Sequence, residues 1–107
     1  MKIIIKPLSV NEAWRGTRKK TFKYLKYEID VMKLLPNVKA NDPPFRFDIT
    51  FGFSNVASDI DNPLKPFIDI IQKKYKINDK DIYQLNVKKE IVKKGFEFID
   101  FKIYTIS

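Results

Sequence analysis

The chain has 107 residues, room for one compact domain, and its 44% hydrophobic and 32% charged residues mark it as globular. Lys plus Arg number 21 against 13 acidic residues, and with no histidine the formal charge is +8. The absence of both cysteine and histidine excludes disulfides, zinc knuckles, iron–sulfur clusters, thiol nucleophiles, imidazole metal ligands and Ser-His-Asp triads. Acid–base or metal chemistry must therefore use carboxylates, lysine, tyrosine, hydroxyls or water, and a bound metal should be a hard ion such as Mg²⁺ or Mn²⁺. The positive charge predicts an anionic partner. Nucleic acid is favoured over a membrane surface, because no cationic amphipathic anchor accompanies it. The opening residues, Met1 to Pro7, hold only three consecutive apolar residues between lysines, so the expectation is a cytoplasmic protein without a membrane segment.

Residues 2–6 are a short apolar run closed by Pro7 and predict a strand; residues 7–19 read as irregular and end in a basic cluster. Leu25, Ile29 and Met32 recur at helical spacing, with Tyr24, Tyr27 and Val31 beside them, up to Pro36. Residues 36–44 form a loop. The clearest strand follows. Phe45, Phe47, Ile49, Phe51 and Phe53 alternate with Arg46, Asp48, Thr50 and Gly52, so one face is expected to be buried.

A second helix is predicted from Asn62-Pro63, with Asn as N-cap and Leu64, Phe67, Ile68, Ile71 and Tyr75 as its apolar stripe. Residues 82–92 and 96–106 then read as a hairpin about Gly95. In its second strand Phe96 and Phe98 lie on one face, and Ile99, Phe101 and Ile103 on the other. That pattern means burial on both faces or a bulge. The order β-α-β-α-β-β defines an α+β fold, one domain over residues 1–107 with a mixed sheet packed by two helices.

Five aspartates, Asp59, Asp61, Asp69, Asp79 and Asp81, fall close together in a basic chain. Crowding carboxylates is unfavourable unless a cation neutralises them. Asp59 and Asp61 are two residues apart, so an extended segment would aim both to one side. Ordinary helix capping and turn chemistry explain the same residues without a metal. An EF-hand is excluded, because counting from Asp59 places Leu64 at the required glycine and Ile70 at the required glutamate. Lys65 and Asp69 are spaced for a helical ion pair; alternatively Lys65 faces a phosphate. Arg15, Arg18, Lys19, Lys20 and Lys23 interleave with Trp14, Phe22 and Tyr24, a mixture suited to phosphates and unpaired bases. Lys88 and Lys89, with Lys93 and Lys94, form a second basic group.

The run Ser58-Asp59-Ile60-Asp61-Asn62-Pro63-Leu64-Lys65, followed by Asp69 and by Ile77-Asn78-Asp79-Lys80-Asp81-Ile82, resembles RusA-type Holliday-junction resolvases. The opening Pro7-Leu8-Ser9-Val10-Asn11 and Trp14 are similar to that family's Pro-x-Ser-x-Asn opening and following aromatic. Ser58 and Asn78 depart from the pattern, where many members have a basic residue and a second acid. The resemblance implies a homodimeric, Mg²⁺-dependent endodeoxyribonuclease that resolves four-way junctions by paired nicks in recombination and repair. It implies Asp59, Asp61 and Asp79 as metal-binding catalytic acids and Lys65 as a catalytic lysine. Asn62 and Asp69 would be supporting residues. Mg²⁺, or Mn²⁺ in its place, would activate the attacking water. Branched DNA is the expected partner, held by Arg15, Arg18, Lys19, Lys20, Lys23, Lys88 and Lys89. Two other readings stand beside this one: a non-catalytic basic nucleic-acid-binding module whose acidic loop only caps a helix, and a general branched-DNA or flap nuclease.

Overall fold

Nine residues of alternating pattern, Phe45–Phe53, form β4, with Phe45, Phe47, Ile49, Phe51 and Phe53 all buried. The computed structural model describes residues 1–16, 19–39 and 42–106. Before β4 come β1 (Lys2–Ile3), α1 (Val10–Ala13), β2 (Trp14–Arg15), β3 (Lys19–Lys20) and α2 (Phe22–Leu34). After it come α3 (Leu64–Tyr75), a 3₁₀ turn (Asp79–Asp81), β5 (Ile82–Ile91) and β6 (Phe98–Thr105). The main sheet is mixed, in the order β1-β6-β4-β5, and β2 and β3 form a separate two-stranded ribbon. The α+β single domain expected from the sequence is present, with three α-helices rather than two among the described residues. The segment read as irregular folds into α1 and the ribbon, and Ser9 caps α1 by accepting from the Asn11 amide.

β4 and β5 run parallel, and α3 supplies the crossover that a parallel pair requires. The expected hairpin about Gly95 is not formed. β4 lies between β5 and β6, and β6 pairs antiparallel with its other edge. Residues 92–97 pass the end of β4, where the Val92 amide donates to the Phe53 carbonyl at 2.7 Å. Gly95, at φ +95°, turns this connection.

The doubly apolar pattern of β6 resolves without a bulge. Its register with β4 steps evenly from Gly52↔Phe98 to Phe45↔Thr105. Ile99 and Phe101 join the buried face, opposite Phe51 and Ile49. Phe98 is buried on the opposite face, over Gly52, with the Lys2 ammonium 4.2 Å from its ring centre. Phe67 of α3 meets Phe51 and Phe101 edge-on at 6.0 and 5.5 Å, and this aromatic trio centres the core.

α2 turns a different face inward from the one its spacing suggested. Tyr24, Tyr27 and Val31 are buried, whereas Leu25 and Ile29 are 42% and 54% exposed. Both triplets have helical periodicity. The larger tyrosines fill the space over the sheet, and Thr21, accepting from the Tyr24 amide, fixes the rotation of the first turn. Among the described residues no helix is long and apolar enough to cross a membrane.

Candidate functional site

The loop between β4 and α3 is held by contacts from outside it. Lys89 of β5 donates to the backbone carbonyls of Val56 and Ser58. The Ser54 hydroxyl donates to Glu97 at 2.8 Å, and the Val10 amide donates to the Asn62 carbonyl at 2.8 Å. Lys89, expected to meet DNA, is therefore committed to anchoring the loop that carries Asp59. Lys88, its neighbour on the strand, is exposed.

Asn62 does not cap α3. No side chain caps that helix, and the Asn62 side-chain Nδ2 donates to Asp59 Oδ2 at 3.2 Å. Residues 60–63 bend and turn rather than run extended, and the Leu64 amide closes a turn onto the Asp61 carbonyl at 3.1 Å. As a result Asp59 and Asp61 do not share one face. Asp59 lines a cavity of about 420 Å³ with Lys6, Glu12, Lys94 and Glu97. Asp61 lines a groove of about 440 Å³ between α3 and β5.

Asp79 shares the second groove. Lys76, in the left-handed region at φ 55°, ends α3, and the Asp79 amide donates to Gln72 Oε1 at 3.0 Å. The chain thereby folds back along its own helix. Asp61, Lys65, Asp69 and Asp79 supply the charged lining of this groove, beside Gln72 and Gln84, and Leu64, Ile68 and Leu85 belong to its apolar wall. Among the described residues no three acidic groups lie close enough to hold one metal ion, so Asp59, Asp61 and Asp79 are not gathered in one cluster. None of these three makes an ion pair among the described residues, whereas Asp69 does. The donor set is carboxylate oxygen, which suits Mg²⁺ or Mn²⁺.

Lys65 has two partners. Its ammonium lies 3.1 Å from Asp69 Oδ2 and 5.4 Å from the centre of the Trp14 ring. Trp14 stands edge-on to buried Tyr24 at 4.9 Å. Burial, with the nearby Asp69 and Glu28 carboxylates, pushes the Tyr24 phenol well above its ordinary range. The contact between Lys65 and Trp14 spans distant parts of the chain, so no local periodicity announces it. It brings the basic ribbon next to the groove.

Arg15, Lys19 and Lys20 are exposed on the ribbon, and Arg18 lies outside the described residues. Lys20 pairs with Glu28 at 3.3 Å and Lys23 with Glu12 at 2.8 Å. The Lys23 hydrogen bond outweighs burial and holds the Glu12 carboxyl below the usual carboxylate range. Glu28 also receives Lys73 of α3 at 2.7 Å. This staple across three elements is invisible to motif reading, because Glu28 sits in an unremarkable helical pattern. No model of a known protein family matches the chain, and no curated protein gives a significant match.

Proposed function

We propose that the chain is a divalent-metal-dependent endodeoxyribonuclease acting on branched DNA, of the Holliday-junction resolvase type, and that it works as a homodimer. The observation that carries this reading is the groove in which Asp61, Lys65, Asp69 and Asp79 converge from both ends of α3. Carboxylates without an ion pair among the described residues, here Asp61 and Asp79, beside a positioned lysine suit metal-dependent phosphodiester hydrolysis. Mg²⁺ commonly takes one or two carboxylates and completes its shell with substrate phosphate oxygens and water. A preformed cluster of three acids is therefore not needed before DNA binds.

Asp61 and Asp79, which share the groove, are the residues that would hold the metal, and Asp59, which the sequence pattern groups with them, lines the neighbouring cavity instead. The metal would polarise the phosphoryl group and lower the pKa of the attacking water. Lys65 would face the scissile phosphate, where an ammonium offsets charge that grows in the transition state. Asp69 would hold that ammonium in place through the pair at 3.1 Å. In a two-fold dimer two equivalent grooves would nick opposed strands of a four-way junction.

A non-catalytic nucleic-acid-binding module is the second reading. The separation of Asp59 from Asp61 and Asp79 into neighbouring cavities favours it. Cleavage of a labelled four-way junction, beside linear duplex and with and without Mg²⁺, decides between the two. The nuclease reading expects paired Mg²⁺-dependent nicks across the junction, abolished by Asp61→Asn with binding retained. Tight binding without any cut in Mg²⁺ or Mn²⁺ supports the module, and normal cutting by Asp61→Asn removes Asp61 from the site.

A further inference from the structure

The three aromatics interleaved with the basic cluster have separate fates. Tyr24 is buried in the core, and Trp14 is half-buried between the Tyr24 ring and the Lys65 ammonium. Phe22 is 91% exposed, with no ring stacked on it and no cation over it among the described residues. It occupies the first position of α2, immediately after the Thr21 cap, so its backbone is fixed while its ring faces water. Around it in the chain are Lys19, Lys20, Lys23 and Lys26, and Arg15 lies across the ribbon from Lys19. Among the described residues Arg15 and Lys19 make no ion pair, and the pairs of Lys23 and Lys26 are on the surface.

We infer that Phe22 is the stacking platform for an unpaired base of single-stranded or branch-point nucleic acid, with Arg15, Lys19, Lys23 and Lys26 holding the flanking phosphates. A ring set among cations has the composition of a single-strand binding surface, in which the π-face meets the base and the charges follow the backbone. A rigid duplex hides its base faces and offers Phe22 nothing to stack on. The inference names the part of a branched substrate that this surface reads. It rests on the nucleic-acid half of the proposed function and not on cleavage.

The test is fluorescence anisotropy with the full chain and no divalent cation, using a labelled single strand and the same sequence as a blunt duplex. Phe22→Ala should weaken single-strand binding about tenfold or more, the usual scale for one stacked base, and leave duplex binding unchanged. Phe22→Trp should restore it, and Phe22→Leu, apolar but without a π-face, should not. Quenching of a 2-aminopurine in the strand should vanish with Phe22→Ala. Equal losses for single strand and duplex would overturn the inference, as would full binding by Phe22→Leu. So would unchanged DNA affinity with altered sedimentation, which would make Phe22 part of a protein-docking face. A protein that never cuts DNA yet shows the Phe22 effect would refute the nuclease reading and leave this inference standing.

Discussion

A β-carbon added to Gly52 would lie 2.3 Å from Cδ1 of Phe98 and 2.4 Å from Cε1. The ring covers the glycine and is buried over it, so it has no free path aside. Gly52→Ala should lower stability by about 1–3 kcal/mol, the usual scale of overpacking, measured as a fall in Tm. Pairing it with Phe98→Leu should recover part of that loss. Lys65 is the residue on which the proposed chemistry turns. Lys65→Ala should slow single-turnover junction cleavage by about 100-fold or more with little change in affinity, as for loss of a transition-state contact. If affinity falls and the rate does not, Lys65 only binds. Residue types were legible from the sequence here: the aspartates and Lys65 stand out by spacing. What the spacing could not supply was the bend at residues 60–63. It sends Asp59 to one cavity and Asp61 to another, and it depends on anchors as remote as Lys89 and Val10.

Glu28 joins three elements, receiving Lys20 of β3 and Lys73 of α3 from its place on α2. Burial pushes its carboxyl up, and the hydrogen bonds from Lys73 and Lys20 outweigh that and hold it below the usual range. A carboxyl depressed in the folded state stabilises the fold fully above its ordinary value of 4.5, and the contribution is lost as pH falls through the folded value. The chain should therefore lose Tm on acidification below about pH 4.5. Glu28→Gln should start from a lower Tm at neutral pH and fall less steeply. A parallel pair of Tm–pH curves would remove Glu28 from this role. Element positions were largely readable. β4 spans the residues its alternation indicated, and α3 begins one residue after Pro63. The buried face of α2 was not readable, because two apolar triplets share one helical period and only the fit over the sheet chooses between them.

At the scale of the whole molecule, charge and topology matter most. With a formal charge of +8, binding to DNA should weaken steeply with salt. If about six phosphates are contacted, affinity should drop about 1000-fold between about 50 and about 200 mM salt. A flat salt dependence in a titration series would count against a phosphate-tracking surface. The order of strands in the sheet was the least legible feature. Two apolar runs about a glycine look like a hairpin, and nothing local reveals that β4 separates them. The parallel pairing of β4 with β5 comes from α3 as a crossover, a relation between segments rather than within one.

β6 lies between β1 and β4, so a strand that follows both of them in the sequence occupies an interior position of the sheet. A ribosome synthesising this protein releases β1 early and cannot give it a neighbour until Phe98–Thr105 has emerged. Until then Ile49 and Phe51 lack their partners Phe101 and Ile99. The core therefore closes as a late, non-local event, which slows folding relative to chains built from local contacts. During synthesis the β6-facing edge of β4 stays open to mispairing, and its protection in the cell depends on β6 arriving.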